Sequence, residues 1–129
     1  MARTPQDLTP EELQFLEDHH LATLTTMRPD GTPHVVAMAF AFDAPTGRVL
    51  MITRGGSAKV RHIDNHPYAA VSQLEGARWL SLEGPARVLR DPDGIAEALA
   101  GFERRYRPAQ ERDDRVGIEI DVTRIIGRA

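Results

Sequence analysis

The chain has 129 residues, of which 16 are basic and 19 acidic, with a net charge of −3, 5% aromatic residues and no cysteine. This length predicts a single domain over residues 1–129, and interspersed charges with few aromatic side chains exclude the basic surface and stacking platforms of nucleic-acid binders. The absence of cysteine excludes disulfides and thiolate sites, and neither a signal peptide nor an apolar run of roughly 18 residues is found, so we expect a cytoplasmic protein without a membrane partner.

The first half of the chain predicts one short helix followed by three antiparallel strands. Thr9-Pro10-Glu11-Glu12 has the pattern of a capping box with proline at the first helical position. Leu21–Met27 and Pro33–Phe42 are apolar runs of strand length, and the Pro29-Asp30-Gly31 turn between them indicates a hairpin. The β-branched run Arg48–Thr53 follows a further turn and predicts the third strand.

The second half predicts two more helices and three more strands. The helices are expected at residues 58–65 and about Pro92–Tyr106, and the strands at Tyr68–Leu74, Trp79–Leu89 and Val116–Thr123. Gly84-Pro85 marks a bulge or an edge within the long strand. Six strands in mostly meander order, with two or three short helices, predict a mainly β (α+β) fold in which the sheet forms a closed or partly closed antiparallel barrel.

The only lysine, Lys59, follows a pair of glycines in the stretch Thr53–Arg61. Glycines allow a ligand to approach the backbone closely, Ser57 suits a helix N-cap, and the free N–H groups of a helix start attract anions. Arg54 and Arg61 add positive charge, and each charged hydrogen bond contributes roughly 1.5–3 kcal/mol. This pattern therefore predicts a binding site for a phosphate or carboxylate. The alternative is an ordinary strand-to-helix turn with solvated cations.

Other side chains suggest chemistry less specifically. His62 and His66 are four residues apart, but no third ligand follows at a suitable spacing, so no metal site is expected. His34 begins the longest strand, where it could line a pocket or end exposed. Trp79 is the only tryptophan and by default packs in a core or an interface, while Arg78 beside it could grip an anionic ligand. No serine has a base and an acid at a recognisable spacing, so no catalytic triad is expected.

Three segments together carry a resemblance to a known family. They are Thr25–Val36, Arg54–Arg61 and Ala77–Gly84. With them the chain resembles the pyridoxamine 5′-phosphate oxidase-like split β-barrel family, and more closely its F420-dependent (deazaflavin-dependent) reductases of the biliverdin reductase type. The similarity covers nearly the whole chain in order. Its most specific parts are the T-x-R-x-D-G-x-P-H-V hairpin and the glycine-serine-lysine turn.

The resemblance implies a homodimer of split barrels with two cofactor sites at the interface. It places the deazaflavin ring or its ribityl chain along His34, Val35, Val36, Ala37 and Met38. It assigns the cofactor phosphate to Thr53, Arg54, Ser57, Ala58, Lys59 and Arg61. It brings Ala77, Arg78, Trp79, Leu80 and Ser81 to the cofactor from the partner subunit.

The activity implied by the resemblance is hydride transfer from reduced coenzyme F420 to a conjugated, electron-poor small molecule, such as the tetrapyrrole biliverdin or a quinone. The protein would supply binding and orientation, and no side chain would be a covalent catalyst. Arg54, Arg78 or arginines near Arg107 are candidate partners for the propionates of a tetrapyrrole. Two alternatives stay open: an FMN-binding oxidoreductase of the same fold, and a non-catalytic protein that binds F420 or a haem-type ligand. Long FMN-dependent pyridoxamine phosphate oxidases have a further substrate segment, so that activity is not expected.

Overall fold

The computed structural model describes residues 2–129, in which eight strands and three α-helices follow a short 3₁₀ turn at Pro5–Asp7. The helices are α1 (Pro10–Glu17), α2 (Ala58–Asn65) and α3 (Pro92–Arg105). The strands are β1 (Ala22–Met27), β2 (Pro33–Met38), β3 (Ala41–Asp43), β4 (Arg48–Arg54), β5 (Tyr68–Glu75), β6 (Arg78–Leu89), β7 (Arg115–Asp121) and β8 (Arg124–Arg128). None of these helices is long and apolar enough to cross a bilayer.

The mainly β architecture with three helices is confirmed, but the expected count of six strands is wrong. The apolar run Pro33–Phe42 is interrupted at Ala39-Phe40, where the chain leaves β2 and crosses over to pair with β4 as β3. Hydrophobicity does not mark this break, because Phe40 is itself buried. The second unexpected strand, β8, is short and contains Gly127, and it forms along an edge that β6 offers it.

All strand pairs are antiparallel, and the order across the sheet is β2-β1-β5-β6-β7-β4-β3, with β8 also paired to β6. One edge of β6 pairs with β5, whereas its other edge pairs first with β8 and then with β7. The change of partner falls at Gly84-Pro85, the pair predicted as a bulge or an edge. A Cβ at position 84 would overlap the carbonyl oxygen of Asp121, so only glycine allows this close approach.

The half of the sheet formed by β2, β1, β5, β6 and β8 has one buried and one exposed face. Core side chains on the buried face include Leu24, Val71, Leu80, Leu82 and Ile125, all at 0% exposure. Directly paired residues share a face, so the strand registers place small and apolar side chains together on the other side. The middle of this outer face is formed by Thr23, Thr25, Val35, Ala37, Ala70, Ser72, Leu74, Trp79, Ser81 and Ile126, and Met27, Pro33, Tyr68, Glu83, Arg124 and Arg128 lie on the same face at its margins.

The predicted capping box at the start of α1 is confirmed and belongs to a larger polar cluster. The Glu12 N–H donates to Thr9 Oγ1 and the Glu12 carboxylate accepts from the Thr9 N–H, each at 3.1 Å. That carboxylate is buried and also accepts bonds of 2.7 and 2.9 Å from Arg3 and one of 3.2 Å from the Ala129 N–H. The Arg3 bonds are the main cause that lowers the pKa of Glu12 to about 2. Glu12 thus joins both ends of the chain to α1.

We expect the free energy of unfolding to fall in acid because of Glu12. Its folded pKa of about 2 lies below the ordinary value of 4.5, so its stabilisation is complete above about pH 5 and is lost as the pH falls towards 2. A difference of this size is worth about 3 kcal/mol. Denaturant unfolding of Glu12→Gln between pH 7 and pH 3 should show lower stability at pH 7 and a flatter pH dependence than the parent chain. The exposed neighbour variant Glu11→Gln is the control, and a slope for Glu12→Gln equal to the parent's would contradict the assignment.

Arg105, near the end of α3, is 7% exposed and satisfied by oxygen atoms that carry no full charge. Its guanidinium donates to the carbonyl oxygens of Asp18 and Phe40 and to Gln73 Oε1, at 2.6–2.9 Å. The Gln73 amide in turn donates to the Phe15 carbonyl at 2.7 Å. Burial lowers the pKa of Arg105. This one side chain joins α3 to the segment after α1, to the crossing between β2 and β3, and to β5.

Candidate functional site

The turn between β4 and α2 has the form that the sequence predicts. The chain passes through two glycines, and the Gly55 N–H donates to the Asp114 carbonyl at 2.7 Å, which joins the turn to the segment before β7. Ser57 occupies the N-cap position of α2, but its hydroxyl accepts no bond from the helix and lies 3.5 Å from Thr53 Oγ1. Two hydroxyl groups therefore stand beside the helix start without being used to cap it.

The first turn of α2 offers a group of hydrogen-bond donors. The N–H groups of Ala58 and Lys59 have no backbone acceptor within residues 2–129. The Lys59 side chain is half-buried, and burial, followed by the charge of Arg54, lowers the pKa of its ammonium. Among the described residues no carboxylate offsets this effect. An anion at the helix start could accept from the two N–H groups, and the Lys59 ammonium adds positive charge in the same turn, so this turn fits a phosphate.

The two arginines of the predicted anion site differ in whether the protein already uses their guanidinium groups. Arg61 donates to the Gly56 carbonyl at 2.9 Å, whereas Arg54 is exposed and lies between two shallow clefts. One cleft, of about 210 Å³, is lined by Arg54, Gly56, Ser57 and Asp114, and the other, of about 180 Å³, by Ile52, Thr53, Arg54, Arg112 and Arg115. Arg54 can therefore reach a ligand in either cleft, while Arg61 mainly fixes the turn.

The predicted cofactor strand, β2, is an edge strand whose side chains point to two sides. Val35 and Ala37 are exposed on the outer face, whereas Val36 and Met38 are half-buried and pack against the core. His34 shares the side of Val36. A flat ligand along this edge would thus contact the side chains on one side of β2, together with the unpaired backbone N–H and C=O groups of the strand.

α2 meets β2 at two histidines. The rings of His34 and His62 pack edge to face, with centroids 4.9 Å apart. His62 Nδ1 lies 2.9 Å from Thr26 Oγ1, so His62 has a hydrogen-bond partner on β1. Burial, then the charges of His34, Arg28 and Arg61, lower the pKa of His62. Sequence reasoning did not include His62 and Thr26 in the site, because their contact depends on how α2 packs on the sheet.

The segment Ala77–Ser81 lies at the start of β6, three strands away from β2 within one copy of the chain. Trp79 and Ser81 point to the outer face, whereas Leu80 is fully buried in the core and could offer a ligand only its backbone. The Arg78 guanidinium lies 4.6 Å from the ring centroid of Phe15. β6 is separated from β2 by three strand spacings, about 14 Å. One copy therefore does not bring this segment and β2 to a common small site.

The fold and the glycine-serine-lysine turn define the class of protein. Residues 8–129 match the family described as pyridoxamine 5′-phosphate oxidase, and the chain belongs to that family, as its sequence predicts. Over 129 residues, all of this chain and 94% of the relative, it is 44% identical to the F420H(2)-dependent biliverdin reductase of Mycobacterium tuberculosis.

Two solved structures have the same fold. One is an F420 reductase, 29% identical, with a TM-score of 0.75 over 92% of this chain and 98% of that one. The other is a conserved hypothetical protein of Mycobacterium tuberculosis, 24% identical, with a TM-score of 0.79 over 99% of this chain and 89% of that one. The second relative supports the fold alone.

Proposed function

We propose that this protein is a reductase that uses reduced coenzyme F420 to reduce biliverdin. The observation that carries the proposal is the first turn of α2, where two N–H groups lack a backbone acceptor and the half-buried Lys59 ammonium has no acidic partner within residues 2–129. Such a group of donors fits the phosphate of a long cofactor. The likeness to an F420H(2)-dependent biliverdin reductase and to an F420 reductase supports the choice of cofactor and substrate.

In the proposed complex the phosphate is held by Lys59, by the N–H groups of the first turn of α2, and by the hydroxyls of Thr53 and Ser57. When bound, coenzyme F420 supplies the hydride that reduces the acceptor. The protein binds the cofactor, orients it and shields it from water. In the proposed complex the edge of β2 lies along the deazaflavin ring, and the partly buried side chains of β2 exclude water. Arg54 is exposed and lies within reach of carboxylates on either ligand.

We further propose that residues 1–129 act as one domain and that two copies pair through the outer face. That face exposes Leu74, Trp79 and Ile126 at 65, 40 and 45%, and Leu74 and Trp79 are direct cross-strand partners. Clusters of exposed apolar side chains of this kind favour burial against a partner. Pairing would also bring Trp79 of one copy to β2 of the other, which the separation within one copy prevents.

Ser72→Arg should convert the dimer to a monomer, because Ser72 lies in the middle of the outer face between Thr23 and Ser81. A guanidinium there stays hydrated in a monomer but would be buried without a partner in the dimer, at a cost of several kcal/mol. Light scattering after size-exclusion chromatography should give the Ser72→Arg variant half the mass of the parent. The affinity of this variant for F420 should also be lower. Ala96→Arg, on the exposed surface of α3, is the matched control. A parent chain that is already monomeric at micromolar concentration would contradict the dimer.

The proposed function is tested by binding and then by turnover. Apoprotein is titrated with F420 and with FMN, and reduced F420 is then mixed with biliverdin or a quinone under anaerobic conditions. We expect F420 to bind more tightly than FMN, and its oxidation to depend on both protein and biliverdin. Tight binding of FMN without measurable binding of F420 would favour the FMN enzyme. Binding of F420 without turnover of any acceptor would favour the non-catalytic binder.

A further inference from the structure

A buried polar contact lies directly beneath the proposed cofactor strand. Thr26 on β1 is 1% exposed and is the cross-strand partner of His34 on β2. His62 on α2 is 8% exposed, contacts the Thr26 hydroxyl through Nδ1 at 2.9 Å, and packs its ring on that of His34. Three elements, β1, β2 and α2, are therefore joined at one point.

The surroundings of His62 define which nitrogen carries its proton. The charged and titratable groups around it are Arg28, Arg61 and His34, with no carboxylate, and together with burial they favour the neutral ring. If Nδ1 carried the proton, the Thr26 hydroxyl would accept it and its own hydrogen would have no acceptor within residues 2–129. If Nδ1 is bare, the hydroxyl donates to it. The ring hydrogen then lies on Nε2, which has no partner within residues 2–129 but is not fully buried and can donate to water. The geometry therefore favours the tautomer with hydrogen on Nε2.

His34 depends on this contact for its orientation. Its Nδ1 atom is buried and has no hydrogen-bond partner among the described residues, so no polar bond through that atom fixes the ring. The His62 ring, at 4.9 Å, is its packed neighbour on α2. Lys59 lies three residues before His62, on the same side of the same helix. The helix start that receives the phosphate and the ring that holds His34 are thus parts of one rigid turn.

We propose that Thr26 and His62 are positioning residues of the cofactor site, which hold His34 at a fixed distance from Lys59 and so align β2 with the phosphate seat. The inference rests on the proposed function. Neither residue touches the cofactor. Both act through His34, and their loss should weaken cofactor binding more than it slows turnover at saturating cofactor.

The test compares two substitutions at one position. Thr26→Val keeps the shape and removes the hydroxyl, whereas Thr26→Ser keeps the hydroxyl. We expect the dissociation constant for F420 to rise about tenfold in Thr26→Val, because a loosened His34 must then be ordered when the cofactor binds. It should stay within about twofold of the parent in Thr26→Ser. The turnover number at saturating F420 should change little in either. His66→Gln, an exposed histidine at the end of α2, is the control and should bind as the parent does.

A second readout does not depend on the cofactor. Long-range ¹H–¹⁵N spectra of the parent protein report the tautomer of each histidine, and His62 should show a bare Nδ1 and a protonated Nε2. The positioning role is overturned if Thr26→Val binds F420 as tightly as the parent, and a hydrogen on Nδ1 of His62 would overturn the assigned tautomer. A parent protein that binds no F420 overturns the proposed function instead, and the spectra then still decide the state of the Thr26–His62 contact.

Discussion

Lys59→Ala should weaken the binding of coenzyme F420 by about 10- to 100-fold. The estimate follows from the loss of a charged hydrogen bond, worth roughly 1.5–3 kcal/mol, where about 1.4 kcal/mol corresponds to a factor of ten. The fold should persist, because the ammonium has no acidic partner in residues 2–129 whose loss would leave an unpaired charge. Fluorescence titration gives the dissociation constant, and thermal unfolding gives the stability of the same samples.

Two further variants separate charge from packing in this experiment. Lys59→Met keeps most of the apolar stem and removes the ammonium, so it should lose about as much affinity as Lys59→Ala. Arg104→Ala removes one positive charge from the exposed side of α3 and should leave the affinity unchanged. If Lys59→Ala binds F420 as the parent does, the lysine does not belong to the cofactor site.

Arg105→Met should lower the free energy of unfolding by about 3–5 kcal/mol, since each buried acceptor left without a donor costs about 1–3 kcal/mol. That is a large part of the roughly 5–15 kcal/mol typical of a domain. Methionine fills much of the space, but the carbonyls of Asp18 and Phe40 and the amide oxygen of Gln73 lose buried hydrogen bonds from the guanidinium. Denaturant unfolding measures the change, with an unaltered slope as evidence that the same cooperative unit unfolds.

Neighbouring and conservative substitutions define the cause of that loss. Arg105→Lys keeps the charge but cannot reach three separate oxygens in the plane of a guanidinium, so it should recover only part of the stability. Arg104→Met, one residue earlier and half-exposed, should change stability by no more than about 0.5 kcal/mol. If Arg105→Met lost as little stability as Arg104→Met, the buried contacts of Arg105 would contribute little to the free energy of unfolding.

The sequence predicts most elements because their local signals agree with the final packing. The capping box at Thr9 starts α1, the two glycines lead into a helix at Ala58, and the hairpin turn at Asp30-Gly31 joins β1 to β2. β8 is not predicted because its partner β6 lies far earlier in the chain. β3 pairs with β4, the next strand, and is missed because nothing local marks the break that separates it from β2. The break at Ala39-Phe40 in particular is stabilised by Arg105 and Tyr106, which lie more than 60 residues later.

For the candidate site, the sequence predicts the groups that come from one local motif. The turn at Lys59 and the strand from His34 are each continuous in the chain, and their residue types already suggest an anion and a ligand edge. What could not be predicted is how they meet. The contact of His62 with Thr26 joins residues 36 positions apart, and only the packing of α2 on the sheet brings them together.

β6 also has a consequence for how the chain folds. It supplies hydrogen bonds to β5, β7 and β8, so neither part of the sheet is complete without it. A partly folded form with only one part assembled would leave β6 with an open edge and an apolar side exposed to water. Folding should therefore be a single cooperative event. It should also be slow for a chain of this size, since ladders such as that between Met51 and Ile118 must close long loops first.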